Sequence, residues 1–424
     1  MTSLDDRFAA AMGQLLGPDF PDDIALAVSG GGDSMAMLYL AHNWTRVWGV
    51  RLHVCTVDHG FRPEAAAEAQ LVADECAVLG WPHATLRWHW DGRGNKMDAA
   101  RQGRLDAIGQ WRGQVRHVLV AHTKDDVAET FLMRLARGSG VDGLSAMQSR
   151  RTVAQGFDVL RPCLDMQRDE LRHYLKVLHG RWVDDPSNED DHYDRARIRK
   201  LLPVLAAEGL TVENLAATSD RMGRAKEALR LRAAEAWDQI GTAPHQTGDL
   251  LFARDGFEAL DRDTQLRLLA AALQFVASAE YRPRAEPLEA LLDRLLGGGA
   301  GTLHGCEARC ERAAIRVYRE FAALQGATPH KSGALWDNRW RICSSLQADL
   351  PDVTVRALGE DGWQQVAQRP QNAPPFHAAR SLPSLWQGDN LLACAALGVG
   401  SGHTTDLWPL GREAFGFRQF LLSH

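Results

Sequence analysis

Six consecutive residues, Ser29-Gly30-Gly31-Gly32-Asp33-Ser34, carry the densest chemistry in the chain. Three glycines let backbone N–H groups approach a ligand closely and turn inward. Two hydroxyls flank them, and Asp33 can reach a magnesium ion held beside phosphate oxygens. The apolar run Ile24 to Val28 precedes the loop and Met35-Ala36-Met37-Leu38 follows it. The loop therefore joins a strand to a helix, whose first turn adds partial positive charge. Binding of a phosphate chain is the chemistry this favours. Neither G-K-[ST] nor G-x-G-x-x-G spacing occurs here, so the loop is neither a Walker A loop nor a dinucleotide fingerprint. A glycine-rich turn without a ligand is the bland alternative, and the strand-loop-helix context speaks against it.

Such a loop needs a sheet to hold it. Runs at Leu52 to Val57, Ala84 to Trp88, Val118 to Ala121 and Val159 to Leu160 read as further strands. Between the strands lie helical patterns at Ser34 to Ala41, Pro63 to Leu79, Met97 to Trp111, Asp125 to Leu135 and Arg168 to Leu178. This alternation predicts a Rossmann-like parallel sheet with helices on both faces, and ligands at the carboxyl ends of the strands. The unusual residues cluster there. Asp58-His59-Gly60-Phe61-Arg62 follow the second strand, and Asn95 precedes Ala100-Arg101-Gln102-Gly103-Arg104. After the fourth strand come Ala121-His122-Thr123-Lys124-Asp125-Asp126-Val127-Ala128-Glu129-Thr130, then Arg134, Arg137-Gly138-Ser139-Gly140 and Gly143-Leu144. Arg161-Pro162, Trp182-Val183-Asp184-Asp185-Pro186-Ser187-Asn188 and Arg195-Ala196-Arg197-Ile198-Arg199 complete the series.

The chain has 424 residues, too many for one core. The fold class expected is α/β, with a domain bearing the phosphate loop over 1–210, a mainly helical domain over 211–325 ending in a hairpin, and a small α+β domain over 326–424. The stretch Thr211 to Phe275 shows no strand signal of note, a helix is expected from Ala285 to Leu296, and Thr302 to Tyr318 alternates like a hairpin. Segments 326–333 and 368–383 read as linkers or long loops. A net charge of -6 argues against a non-specific nucleic-acid binder, although basic groups cluster locally. The seven cysteines show no C-x-x-C and read as reduced thiols. The amphipathic start, Met1 to Leu16, lacks the apolar core of a secretion signal, and no stretch approaches a membrane span. A cytoplasmic protein is expected.

The loop resembles the signature of the PP-loop ATP pyrophosphatases, and the ordered set across residues 24 to 205 resembles the tRNA(Ile)-lysidine synthase family. Phe61 stands where that family usually has Leu, and Leu105 where a Tyr often follows the second Arg. Helices from 211 and the hairpin near 302 resemble the family's middle domain. Leu382 to Gly398 resembles the end of its last domain, while the Lys-rich stretch often found just before that end is shortened or missing.

The resemblance implies that ATP adenylates the C2 oxygen of the wobble cytidine in a tRNA(Ile) with a CAU anticodon. The ε-amine of free L-lysine then displaces AMP. ATP would sit on Ser29, Gly30, Gly31, Gly32, Asp33 and Ser34 with Asp58 and His59, and Asp33 would hold Mg2+. Asp126 and Glu129, one turn apart on a helix face, could cradle the lysine ammonium, or serve only as acids favoured at a helix start. Arg101 and Arg104 could hold phosphates or merely solubilise a helix. His122 could hydrogen-bond ATP or lysine, or be structural. Arg195, Arg197, Arg199 and Lys200 could follow RNA phosphates, with a second basic run from Arg221 to Arg232 on the next helix. A homodimer stays open. A tRNA thiolation enzyme on the same scaffold and a catalytically inactive RNA-binding module are the alternatives.

Overall fold

In the computed structural model the described residues are 2–423, apart from 61–63, 91, 94–95, 185–193, 325, 327, 330–332, 345–352, 401–402 and 414. Phe61, Arg62, Asn95 and Asp185 to Asn188 therefore lie outside them. The chain divides into two compact units, Met1–Lys226 and Glu227–His424.

The first unit runs α1 (Leu4–Leu16), β1 (Asp23–Ala27), α2 (Gly32–Trp48), β2 (Arg51–Asp58), α3 (Ala65–Leu79), β3 (His83–Arg87), α4 (Lys96–Trp111), β4 (His117–Val120), α5 (Lys124–Leu135), α6 (Val141–Leu144), β5 (Arg150–Thr152), β6 (Asp158–Leu160), α7 (Arg168–Val177) and α8 (Asp194–Ala207). Its sheet has the order β3-β2-β1-β4-β6-β5, parallel throughout except for β5. The expected parallel sheet is present, and β1 lies between β2 and β4. Ile24, Ala25 and Leu26 are fully buried, as a strand covered on both faces requires. Strand order reverses at β1, so the exits of β1 and β4 open onto one crevice. One face of the sheet is covered by a core containing Phe8, Met12, Leu38 and Leu171, the other by one containing Ile108, Phe157 and Val159.

The edge strand β5 turns antiparallel on a buried anchor. Asp158, opposite Thr152 in register, accepts hydrogen bonds from Thr152 Oγ1 (2.6 Å), Arg150 (2.7 Å) and Arg116 (3.2 Å). Burial alone would raise its carboxyl, but these donors outweigh burial and bring it down to about 2.

The second unit continues the long helix α9 (Val212–Ile240) into β7 (Gly241–Thr242), β8 (Leu250–Ala253), α10 (Arg254–Glu258), α11 (Arg262–Val276), α12 (Ala285–Leu296), β9 (Ala300–Leu303), β10 (Cys306–Cys310) and β11 (Ala314–Arg319). One expectation needs correcting here: the stretch up to Phe275 contains β7 and β8. The expected hairpin is present as β10 and β11, within a five-stranded antiparallel sheet, β7-β8-β11-β10-β9. Beyond it come β12 (Thr328–Pro329), β13 (Leu335–Trp336), β14 (Trp340–Ser344), β15 (Val353–Ala357), α13 (Gly359–Gln365), α14 (Phe376–Ala379), β16 (Pro383–Gln387), β17 (Asn390–Ala393), β18 (His403–Leu407) and α15 (Phe417–Ser423). They form two small sheets, β12-β15-β16-β17 and β13-β14-β18. Phe417 and Phe420 of α15 bury themselves beside Phe275 and Leu292. No described helix is long and apolar enough to cross a membrane.

Replacing Asp158 by Ala should lower the stability of the first unit at pH 7 by about 2 kcal/mol, the scale of lost charge-assisted hydrogen bonds, read as a shift of its urea midpoint. The folded carboxyl titrates below the unfolded one. Its contribution is therefore complete above pH ~4 and fades as the pH falls toward about 2. A midpoint unmoved at pH 7 would remove Asp158 as the anchor of β5.

Candidate active site

The phosphate loop is braced before any ligand arrives. Ser34 Oγ accepts from the Ser29 N–H (3.1 Å) and donates to the Gly31 carbonyl (2.9 Å), drawing the two ends of the loop together. The Gly30 carbonyl accepts from the Val183 N–H (3.0 Å). Gly30 has φ +86°, a left-handed backbone that favours glycine, although an added Cβ would meet the Glu68 carbonyl only at an ordinary contact distance of 3.4 Å. Gly31 caps α2 without a side-chain partner for the helix's leading N–H groups. Those amides are the donors a phosphate chain requires.

A cleft of about 590 Å³ opens over the loop. Its walls include Ser29, Gly31, Gly32, Asp33, Ser34, Thr56, His59, Glu68, Arg104, His122, Arg168, Arg172 and Arg199. Apolar Ala27, Val57, Val120 and Ala121 at the strand ends give it a floor on which a nucleobase could lie. Among the residues expected from sequence, Gly30 and Asp58 stand behind this wall. Asp58 Oδ1 accepts from the Gly60 N–H (2.8 Å), closing the turn that presents His59. The Trp88 indole meets His59 edge to face, with centroids 5.7 Å apart. Gly103 lets α4 approach that indole, because any Cβ there would overlap the ring. One packing unit thus sets His59 and, one residue past Gly103, Arg104.

Arg104 is exposed to water, yet its guanidinium is pushed below its ordinary value by the enclosing protein and then by Arg101 and Arg195. A concave wall explains both, since it surrounds the group without sealing it. Arg101 is exposed outside the wall. Next to them, Arg161 donates to His122 Nδ1 (3.3 Å) and to the Gln148 carbonyl (2.7 Å). Burial lowers the His122 imidazole to about 4, so it is neutral near pH 7. With Nδ1 accepting, the proton is assigned to Nε2, which leaves that nitrogen as a donor.

Asp126 and Glu129 lie at the start of α5, as expected, and both are buried. Asp126 Oδ2 accepts from the Thr123 N–H (2.9 Å) and Oγ1 (3.1 Å), a capping box that fixes the helix start. Burial works to raise this carboxyl, but Arg168 and Arg195 outweigh burial and hold it below its ordinary value. Glu129, fully buried, faces Arg199 Nε (2.7 Å), Arg168 Nη1 (3.1 Å) and Arg195 Nε (3.3 Å). Two of the arginines expected on RNA, Arg195 and Arg199, thus reach into the site. Arg197 pairs with Asp194, and Lys200 is exposed.

Arg168 was missed from sequence. At the first position of α7, its Nε donates to Asp33 Oδ2 (3.2 Å), so it links the phosphate loop to Glu129. Burial, helped by nearby Asp126, lifts the Asp33 carboxyl to about 6 against the pull of Arg168. Its second oxygen, Oδ1, is buried without a hydrogen-bond partner. An orphaned hard oxygen beside a phosphate loop fits magnesium, which takes one or two carboxylates and completes its shell from phosphates and water.

Comparison with known proteins agrees with this geometry. A family model described as a PP-loop domain matches residues 4–205. The tRNA(Ile)-lysidine synthase of Ruegeria pomeroyi is 39% identical over 411 residues, covering 95% of each chain. That of Wolbachia pipientis is 33% identical over 398 residues, covering 91% of each.

Substituting Gly30 by Ala should weaken nucleotide binding about tenfold through ~1–2 kcal/mol of left-handed backbone strain. Isothermal titration with an ATP analogue checks this, and an unchanged affinity would show that the loop tolerates a side chain there.

Proposed function

The chain belongs to the tRNA(Ile)-lysidine synthase family, and from that premise we propose how its cleft forms lysidine on tRNA(Ile) from lysine and ATP. Membership selects this ligase over the thiolation and inactive-module alternatives. One observation carries the reading: the phosphate-binding loop lines a cleft, and one guanidinium in the same wall, that of Arg168, joins Asp33 of the loop to the buried pair Glu129 and Asp126.

ATP lies with its phosphates on Ser29 to Ser34 and its base toward the strand ends. Asp33 would hold Mg2+ through Oδ1, and that ion supplies charge neutralisation for the departing pyrophosphate. His59 stands where it can border the nucleotide. Neutral His122 donates from Nε2, and Arg104 presents a cation to phosphate oxygens as charge develops. The wobble cytidine, unstacked from a single-stranded loop at little cost, offers its C2 oxygen to the α-phosphorus. AMP then stands on the base as leaving group.

The second step must overcome protonation. An amine with a reference pKa of about 10.4 is free base in roughly one part in a few thousand at pH 7, a cost of about 4.6 kcal/mol. Asp126 and Glu129 bind the ammonium, and a carboxylate takes its proton as the amine reaches the activated carbon. Arg197 and Lys200, turned outward on α8, meet RNA phosphates. Arg195 and Arg199 bridge that surface to Glu129. We assign chemistry to 1–210 and further tRNA contacts to 211–325 and 326–424.

Purified protein with radiolabelled lysine, ATP and an unmodified tRNA(Ile) bearing CAU should label the tRNA, and only with ATP present. Glu129→Gln should cut lysine transfer by about a hundredfold, equivalent to ~2.7 kcal/mol, while tRNA-dependent ATP–pyrophosphate exchange falls far less. Equal losses in the two half-reactions would remove Glu129 from the lysine site.

A further inference from the structure

The ion-paired cluster around Glu129 is balanced within itself. Arg168, Arg195 and Arg199 face Glu129, while Asp33 and Asp126, each paired with Arg168, complete a set of three carboxylates. Within that cluster three cations meet three anions, so it offers no net negative charge to an incoming ammonium, and a fourth cation in a buried cluster is strongly opposed. A polyphosphate brings the missing charge.

One of the three guanidiniums is placed to follow that charge. Among the described contacts, Arg168 is the one that touches both Asp33 in the phosphate loop (3.2 Å) and Glu129 (3.1 Å). Its Nη2 lies 3.6 Å from Asp126 Oδ1, and is buried without a hydrogen-bond partner. The side chain lines the cleft, so this donor waits within reach of a ligand. Its root is fixed, because the Arg168 N–H donates to Asp125 Oδ2 (2.8 Å). The side chain can therefore turn without moving α7.

We propose that Arg168 is a positioning residue that makes lysine binding depend on bound nucleotide: the phosphates draw its guanidinium off Glu129, and the lysine ammonium enters the place it leaves. This rests on Asp126 and Glu129 being the lysine site. Without nucleotide, the chain's own cation fills that site and keeps free amines out. With nucleotide, one positive charge replaces another and the balance is kept. By linkage, lysine tightens nucleotide binding by the same factor. Lysine therefore occupies the site mainly when nucleotide is already in the cleft.

The test is equilibrium binding of radiolabelled L-lysine to the full chain, with and without α,β-methylene-ATP and magnesium, at fixed ionic strength. The analogue should tighten lysine binding by about tenfold or more, within the usual range of coupling between sites. In Arg168→Ala, lysine should bind the nucleotide-free protein more tightly than it binds wild type, and the analogue's effect should drop below about twofold. Arg168→Gln carries the same expectation and replaces the alanine variant if that fails to fold, as judged by its melting transition and its own titration with the analogue. Equal lysine affinity with and without analogue in wild type overturns the proposal, as does a tenfold effect that survives the loss of Arg168. Glu129→Gln and Asp126→Asn separate this from the underlying reading. If both bind lysine normally beside the analogue, the lysine site is elsewhere. If they lose lysine while wild type shows no coupling, only the role of Arg168 falls.

Discussion

A fully buried glutamate governs the architecture of the site. Glu129 has no access to water, and an uncompensated carboxylate in that position would cost several kcal/mol. Arginines from two other helices resolve the problem, Arg168 from α7 and Arg195 and Arg199 from α8. Three segments far apart in sequence are thereby drawn to the exit of β4. The solution brings Arg168 against Asp33 of the phosphate loop, and Arg168 and Arg199 both line the cleft above it. The guanidiniums that make Glu129 tolerable therefore also shape the cleft, which ties its form to its charge state.

Much of this was legible in the sequence because its signals are local. A strand running into three glycines and a helix needs no tertiary information. The helix start near Asp126 was local too, although the capping box between Thr123 and Asp126 that makes it was not singled out. Asp126 and Glu129 share a helix face because of the 3.6-residue period. The five parallel strands could be read from short apolar runs, since both faces of such a sheet are covered.

What escaped depends on contacts between distant segments. Arg168 heads a helix, where the dipole favours acids, and its neighbours Asp169 and Glu170 obey that preference. Nothing near it announces that Asp33 and Glu129 wait across the fold. Arg195 and Arg199 lie in a basic run that reads as an RNA-facing surface, and only the packing of α8 beside α5 turns two of its members inward. The strands β7 and β8 were hidden differently. They have two and four residues; β7 is an edge piece paired to β8, while β8 pairs with β11 and buries Leu250 and Phe252 in the core. Pieces this short carry too little periodicity to separate from helix ends.

The contact between Gly103 and the Trp88 indole has an evolutionary side. No larger residue fits at 103 while the ring remains, and trimming the ring would leave a void beside His59. A drift at either position is disfavoured alone, so the two can be exchanged only as a pair. Variation across this wall should then come as linked replacements, with the outlook of the neighbouring arginine changing whenever they do.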